Sequence, residues 1–351
     1  MTLRDEVLAA YGLEKKNLQV DQIENGLINL TWHIKNTNHS FILQKINQRV
    51  FKNPYAITSN VRLIADFLLK KYPEYLFVCQ LKTISGEEIM HLKGNGFFRL
   101  TNFVNDSHTI ATVEKPIQAF EAAKQFGKLT KLLADFPVKK LQITLPDFHN
   151  LTLRYQQYLN ALKSGNKYRL QQSYELIQLI EANKNIVDTY KNILQNPSFK
   201  LRVTHHDSKI SNVLFNSNDK GLCVIDLDTV MPGFFISDVG DMMRTYLSPV
   251  NEEEKDFSKI EVREEYFKSI WEGYMSEMNN ELNHEEKRHF IYSGKFMIYM
   301  QALRFLTDHL NEDVYYGAIY EGQNFVRAGN QLVLLERLKE KEKALQKIVS
   351  R

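Results

Sequence analysis

The sequence predicts an α+β fold, with a β-rich N-terminal part followed by a larger and mainly helical part. Two observations support this prediction. Short runs rich in β-branched and aromatic residues recur up to about residue 104, and Asn-Gly and Asn-His turn signals bound them. From about residue 114 onward, apolar residues recur at helical spacing over most of the chain.

The N-terminal part is predicted to be a mixed β unit with one inserted helix. Residues 1–12 have the pattern of a short amphipathic helix. Residues 54–71 also show helical spacing, with Val61, Ile64 and Leu68 on one face. The predicted strands, in chain order, are residues 18–23, 31–35, 40–46, 75–81 and 96–104.

The C-terminal part is predicted to be helical around a small β insertion. One strong helical pattern covers residues 114–136 and ends at Pro137, and two more helices are expected between about 150 and 195. After Pro232 the chain is expected to be helical to its end. The insertion has three predicted strands around polar loops, at residues 200–207, 212–216 and 222–228.

This layout predicts two units, residues 1–103 and residues 104–351, with a linker near 99–106. The length of 351 residues is sufficient for each unit to have its own core. A ligand cleft between two such units is a common arrangement. The polar loops of the β insertion are the part of the sequence that we expect to carry chemistry.

Composition and charge exclude several classes of protein. With 43% hydrophobic and 25% charged residues, the chain is not predicted to be disordered. A net charge of +3 gives no reason to expect a nucleic-acid partner. No segment approaches the ~18 apolar residues of a membrane span, and the charged N-terminus is unlike a signal peptide. With 2 cysteines far apart in sequence, we expect a cytoplasmic protein with no membrane partner.

The segment VTHHDSKISNVLF, residues 203–215, places several polar side chains between two apolar runs. One explanation is a turn between strands, because Asp, Ser and Asn favour turns. However, the order His205-x-Asp207-x-x-x-x-Asn212 is also typical of a catalytic loop in phosphoryl transfer. In such loops an aspartate handles the attacking hydroxyl and an asparagine holds a metal ion.

A second acidic pair, Asp226 and Asp228, follows the apolar strand in VIDLDTV. A hard cation prefers carboxylate and amide oxygens, so Asn212 and Asp226 are a chemically sensible pair of Mg²⁺ ligands. A hairpin alone does not require carboxylates at both strand ends. The second pair therefore favours catalysis over a purely structural turn.

Three further positions have a structural and a functional explanation. Lys45 either contacts nucleotide phosphates or protects a sheet edge. Gly26 either lets backbone N–H groups face a phosphate or forms a plain hairpin turn. Arg304 and Asp308, at i and i+4, form either a surface ion pair or the lining of a pocket for a hydroxyl-rich substrate. By contrast, Asp238 lies at a predicted helix start, where structural support is expected.

The segments HHDSKISNVLF, VIDLDTVMPG and SDVGDMMR, in that order, resemble aminoglycoside phosphotransferases and choline-kinase-like enzymes. The resemblance implies a protein-kinase-like bilobal fold. A closer resemblance is to the N-acetylhexosamine kinases, which phosphorylate the anomeric hydroxyl of N-acetylglucosamine or N-acetylgalactosamine with ATP. The segments that carry it are FILQKINQRVFKNP, DLDTVMPG and RFLTDHLNEDVYY.

The resemblance implies a role for each matching residue of the catalytic loop and the β-rich part. Asp207 matches the catalytic aspartate, and Asn212 and Asp226 match the Mg²⁺ ligands. Lys45 matches the phosphate-contacting lysine, and Gly26 lies in the matching nucleotide loop. Thr101 and Phe103 lie in the matching hinge, residues 99–105, whose backbone would contact adenine.

For the acceptor, Arg304 and Tyr315 fall where the hexosamine kinases bind the sugar, and Asp228 could face sugar or metal. One feature departs from the pattern: residues 53–73 contain no glutamate to pair with Lys45, and their only acid is Asp66. The alternatives are another acceptor, such as choline, homoserine, a methylthio-sugar or an aminoglycoside, or a non-catalytic nucleotide-binding protein.

Overall fold

The computed structural model describes residues 5–23 and 28–350, except for the side chain of Asn17. Its architecture confirms the predicted α+β class, with a β-sheet in the N-terminal part and helices in the C-terminal part. Strands β1–β10 are Gln19–Ile23, Leu30–Lys35, Ser40–Lys45, Gln80–Leu81, Met90–Leu92, Gly96–Asn102, Arg202–Thr204, Val213–Phe215, Gly221–Val224 and Met231–Gly233. Helices α1–α12 are Asp5–Ala10, Pro54–Lys71, Pro116–Leu132, Leu151–Ser164, Lys167–Gln172, Tyr174–Ala182, Asn185–Gln195, Ile236–Tyr246, Glu264–Met278, His284–Arg288, Phe290–Leu310 and Gln323–Val349.

The N-terminal strands form one antiparallel sheet in the order β1-β2-β3-β6-β4, and β5 also pairs with β6. Side chains alternate between its two faces. The outer face carries Trp32, Leu43 and Leu100, which pack with Val7 and Leu8 of α1 in a small core. The opposite face, here called the inner face, carries the polar residues that reach the C-terminal part.

Register assigns the inner face. Gln44 pairs with Thr31 on one side and with Arg99 on the other. Directly opposed residues of an antiparallel pair point to the same face. Lys45 follows Gln44 directly and pairs with Phe98, so it lies on the outer face. A shift of one residue along β3 thus separates the two side chains by the full thickness of the sheet.

Several predicted elements are confirmed and others change. The helix predicted over 54–71 has those bounds, with Pro54 in its first turn. The strand predicted over 75–81 shortens to Gln80–Leu81. Between 150 and 195 the structure has four helices where two were predicted. One break follows Gly165, where the Asn166 side chain accepts from the next backbone N–H groups and begins a new helix.

The C-terminal part is built around α11, which packs against α4, α7, α8 and α12. Gly240 of α8 permits one of these approaches, because a Cβ at this position would overlap the carbonyl oxygen of Ser293 in α11. Strand β10 was missed in the sequence because of its proline; it pairs only with β7, in a two-stranded sheet. No helix among the described residues has the length and apolar character needed to cross a membrane.

Candidate active site

The loop after β7 is fixed by Asp238 at the start of α8. The Asp238 carboxylate accepts the backbone N–H groups of His205 and His206, at 3.1 and 2.7 Å. Ser208 Oγ donates to the Asp238 carbonyl at 2.6 Å. His206 has a left-handed backbone with φ of 67°, so the loop turns sharply just before Asp207. Asp238 thus acts as the structural support that the sequence predicted.

The His205 imidazole joins this loop to the one after β9. Its Nε2 lies 2.9 Å from the Ile225 carbonyl, and its Nδ1 accepts the Asp207 backbone N–H at 3.3 Å. These contacts require the tautomer with the proton on Nε2. Ile225 N–H in turn donates to the Asn212 carbonyl at 2.8 Å. Asp207, Asn212 and the residues after Ile225 are therefore held in one small framework.

The Asp207 carboxylate is held in its ionised form. Asn212 Nδ2 donates to its Oδ2 at 2.9 Å, and Lys209 Nζ lies 3.0 Å from the same oxygen. Burial by itself raises the pKa of Asp207, but Lys209, His205 and Asn212 together hold the pKa below its ordinary value. The side chain keeps 22% of its surface exposed. The Asp207 carboxylate is therefore both ionised and accessible.

Asp226 has the opposite electrostatic environment. It follows β9 with a left-handed φ of 59°, which turns its side chain out of the strand. Burial, the Asp228 charge and the Asp207 charge raise the pKa of Asp226 to about 7. Its carboxylate accepts no hydrogen bond from any described residue. A carboxylate that faces like charges without donors is an electrostatic site for a cation.

The donor chemistry of this site fits a hard divalent cation. The Asn212 side-chain oxygen and the Asp226 carboxylate accept no hydrogen bond within residues 5–23 and 28–350, so both are available as ligands. Among those residues, no three His, Cys, Asp or Glu side chains form a metal-binding group. The described residues thus offer two oxygen-bearing side chains that would suit such an ion.

A buried ion pair connects the sheet to this site. Arg99 on the inner face pairs with Asp228, and their side chains are 7% and 3% exposed. Gln44 Oε1 accepts two hydrogen bonds from Arg99, at 3.0 and 2.8 Å. Asn29 Nδ2 donates to the other Asp228 oxygen at 2.7 Å. Asp228, predicted to face the sugar or the metal, is placed by the structure against Arg99 and Asn29.

Lys45 is placed away from these carboxylates. Its ammonium lies 5.8 Å from the Phe98 ring centroid, on the outer face. Within the described part of the sheet, the cation that lies against Asp228 is Arg99. Asp66, the acid considered as a partner for Lys45, instead lies 3.9 Å from Arg62 and is 65% exposed. The proposed phosphate contact of Lys45 stays a prediction.

The other predicted nucleotide-binding residues lie around the end of β6. Thr101 is on the inner face, opposite Ile42. Phe103 follows β6 and stacks on His33, with ring centroids 4.5 Å apart. Both are partly exposed, as a nucleotide contact requires. Gly26 lies outside the described residues.

Arg304 and Tyr315 are brought together at a separate cavity of about 320 Å³ between α4 and α11. Arg304 donates to the Tyr315 hydroxyl at 3.4 Å and to Gln301 Oε1 at 3.2 Å. The ion pair considered for Arg304 and Asp308 does not form. Asp308 instead accepts the backbone N–H groups of Tyr315 and Tyr316, at 2.7 and 2.8 Å.

Two residues of the site were not assigned a role from the sequence. Lys209 had a signal, because it lies in the polar loop only two positions after Asp207. Arg99 had one as well, because a charged residue inside the apolar run GFFRL needs a buried partner. The identity of that partner depends on the approach of the sheet to the loop after β9, which sequence spacing does not report.

Comparisons with known proteins agree with this geometry. The family model APH, described as the phosphotransferase enzyme family, matches residues 19–260, well over half of the 351-residue chain. The match supports the predicted resemblance to aminoglycoside phosphotransferases and choline-kinase-like enzymes. The finer resemblance to N-acetylhexosamine kinases stays a prediction.

Solved structures share the fold at low identity. A microcompartment-associated aminopropanol kinase is 14% identical, with a TM-score of 0.64 over 97% of each chain. An amicoumacin kinase, solved with AMP-PNP and Ca²⁺, is 12% identical, with a TM-score of 0.63 over 96% of this chain and 92% of that one. Choline kinase from Cryptosporidium parvum is 15% identical, with a TM-score of 0.57 over 96% of this chain and 92% of that one.

Proposed function

Because this chain belongs to the phosphotransferase enzyme family, we propose that it transfers the terminal phosphoryl group of ATP to a hydroxyl group of a small molecule. The observation that carries this proposal is the pair of unlike carboxylates. Asp207 has a lowered pKa and two hydrogen-bonding or ionic partners, whereas Asp226 has a raised pKa and no donor among the described residues. Such a division suits one proton acceptor and one metal ligand.

Asp207 is the residue that orients the acceptor hydroxyl and takes its proton. Its lowered pKa keeps it ionised at neutral pH, and its exposed surface leaves room for the acceptor. Asn212 holds the carboxylate in place through its Nδ2 group. Lys209 lies 3.0 Å from the same carboxylate. Its positive charge would stabilise the negative charge on the phosphoryl group during transfer.

Asn212 and Asp226 would hold Mg²⁺ through their uncommitted oxygens. The ion would neutralise charge on the phosphate oxygens of ATP. The amicoumacin kinase solved with an ATP analogue and Ca²⁺ supports a divalent ion in this fold. Thr101 and Phe103, at the end of β6, are the proposed contacts of the adenine. Lys45 and Gly26 remain proposed phosphate contacts on the basis of the sequence resemblance alone.

For the acceptor, we propose the anomeric hydroxyl of an N-acetylhexosamine, which would give the sugar 1-phosphate. The resemblance of RFLTDHLNEDVYY supports this choice. The meeting of Arg304 and Tyr315 at one cavity is compatible with it. The same active site serves choline, homoserine, a methylthio-sugar or an aminoglycoside if the acceptor pocket differs. The acceptor is therefore the part of the proposal that a substrate panel decides.

The test is ADP release from Mg-ATP with N-acetylglucosamine, N-acetylgalactosamine, N-acetylmannosamine, choline, homoserine and kanamycin. Turnover confined to the N-acetylhexosamines supports the full proposal, and turnover on another acceptor supports the kinase and rejects the sugar. Asp207→Asn should lower kcat by roughly 10²–10⁴-fold, with little change in ATP affinity. Asp188→Asn, at a side chain 68% exposed, is the matched control and should retain activity. Full activity in Asp207→Asn would reject Asp207 as the proton acceptor.

A further inference from the structure

The cavity between α4 and α11 contains two arginines without a carboxylate partner. Arg154 donates to Gln157 Oε1 and to the Asp147 carbonyl, each at 3.0 Å. Arg304 donates only to neutral oxygens as well. Neither forms an ion pair with any carboxylate in the described parts of the chain. Two guanidinium groups thus line one cavity of about 320 Å³, and neither is paired with a carboxylate among the described residues.

Asp308 is the one acidic residue that lines this cavity, and its carboxylate already accepts hydrogen bonds from the protein. Asp308 is 4% exposed and receives two backbone N–H groups. Asn324 Nδ2 adds a third hydrogen bond at 3.1 Å. A carboxylate with three donors gains little from turning toward an arginine. Asp308 therefore fixes the backbone of residues 315–316 and does not neutralise the two arginines.

The charges of the two arginines point to the same conclusion. Both guanidinium groups belong to residues that line the same cavity. Burial and the Arg304 charge also lower the pKa of Arg154, so the two cations repel. An anion bound in the cavity would remove the repulsion between the two guanidinium groups.

A chain of ring and charge contacts runs from this cavity toward the catalytic loop. The Tyr316 ring lies 5.3 Å from the Arg304 guanidinium and 5.3 Å from the Arg327 guanidinium. Arg327 pairs with Glu252, which also pairs with Arg244 at 2.8 Å. Asp241 and Glu252 raise the pKa of Arg244 against the effect of burial, and the Asp207 charge adds to them. The cavity and the catalytic loop therefore belong to one electrostatic system in the C-terminal part.

We propose that Arg154 and Arg304 bind an anionic group, a carboxylate or a phosphate, carried by the acceptor substrate. Paired guanidinium forks bind such planar or tetrahedral anions through several short hydrogen bonds. The inference rests on the proposed phosphotransferase function and favours, within the proposed N-acetylhexosamine class, an acceptor that also carries a phosphate or carboxylate. A neutral acceptor would leave both arginines uncompensated.

The first experiment measures anion binding without turnover. Inorganic phosphate is titrated calorimetrically into the whole chain at fixed ionic strength, with saturating Mg-ADP to fill the nucleotide site. We expect Arg154→Gln and Arg304→Gln each to weaken phosphate binding by roughly 10- to 100-fold. Lys163→Gln removes one positive charge from an exposed position of the same helix and should not change it. Equal affinities in all four proteins would overturn the proposal.

The second experiment measures acceptor choice with matched neutral and anionic pairs. These are N-acetylglucosamine with its 6-phosphate, and galactose with galacturonate. We expect the anionic member of a pair to have the lower KM, and Arg154→Gln to abolish that preference. If phosphate binding depends on the arginines while acceptor preference does not, the cavity serves a free anion and the assignment to the acceptor is wrong. If no acceptor turns over, the proposed function fails and the phosphate titration still decides the cavity.

Discussion

Replacing Asp226 by Asn should stabilise the ligand-free protein while removing its activity. Asp226 is a carboxylate with no described donor, next to two other carboxylates, and its pKa is raised to about 7. The ionised Asp226 side chain therefore destabilises the folded protein at neutral pH. Asparagine has nearly the same shape without the charge, so the variant should lack this destabilisation.

The magnitude follows from the pKa. A change from the ordinary value of 3.8 to about 7 corresponds to ~4 kcal/mol at about 1.4 kcal/mol per pH unit. Asp226 keeps part of its surface open, and its charge is shared with neighbours that relax when it is removed. We therefore expect Asp226→Asn to be more stable than the parent by roughly half of this value, about 2 kcal/mol, at pH 8.

The stability difference between the two proteins should depend on pH. The folded-state pKa lies above the unfolded one, so the destabilisation is complete above pH 7. It decreases as the pH falls below 7, since the folded protein takes up the proton, and it disappears near the unfolded pKa of 3.8. The stability gap between Asp226→Asn and the parent should thus be largest at pH 8 and fall to about a quarter of that value at pH 4.5.

The assay is urea unfolding of both proteins at pH 8, 6.5 and 4.5, with and without Mg-ATP. Asp238→Asn is the matched control, because burial also raises the pKa of Asp238 to about 7. Asp238 accepts two backbone N–H groups with different oxygens, and asparagine keeps only one of those acceptors. This control should lose stability. An Asp226→Asn protein that is no more stable than the parent at pH 8 would refute the electrostatic reasoning.

Three further changes test other parts of the structure. Arg99→Met leaves Asp228 buried without its cation and should cost roughly 3–5 kcal/mol in urea unfolding; a loss below about 1 kcal/mol would contradict the buried pair. Gly240→Ala forces a Cβ onto the Ser293 carbonyl and should lower the stability by about 1–3 kcal/mol, seen as a lower Tm. Lys209→Met should lower kcat and move the acidic limb of the pH–rate profile upward, since Lys209 is the strongest influence that lowers the pKa of Asp207; an unmoved limb would reject that coupling.

Sequence patterns predicted the features that are local in the chain. The helix over 54–71 follows from apolar spacing, and the meeting of Asp207 and Asn212 follows from one short loop. The prediction of a phosphotransferase is confirmed by the family match. The helix and the loop each depend on residues that are close together in the sequence.

Long-range features could not be predicted in the same way. Which face of β3 meets the C-terminal part depends on strand register, and a difference of one residue separates Gln44 from Lys45. The pairing of Arg99 with Asp228 joins elements that are distant in sequence. Arg304 and Asp308 had the spacing of an ion pair, but the backbone of a later loop took the carboxylate. In each case the outcome depends on a tertiary contact that local sequence spacing does not indicate.

The Arg99–Asp228 pair also has a consequence for motion. It is buried, and breaking it would leave two desolvated charges, so the sheet cannot simply lift away from the helical part. We therefore expect this pair to be the pivot if the sheet rotates against the helical part, with side chains far from the pair moving the most.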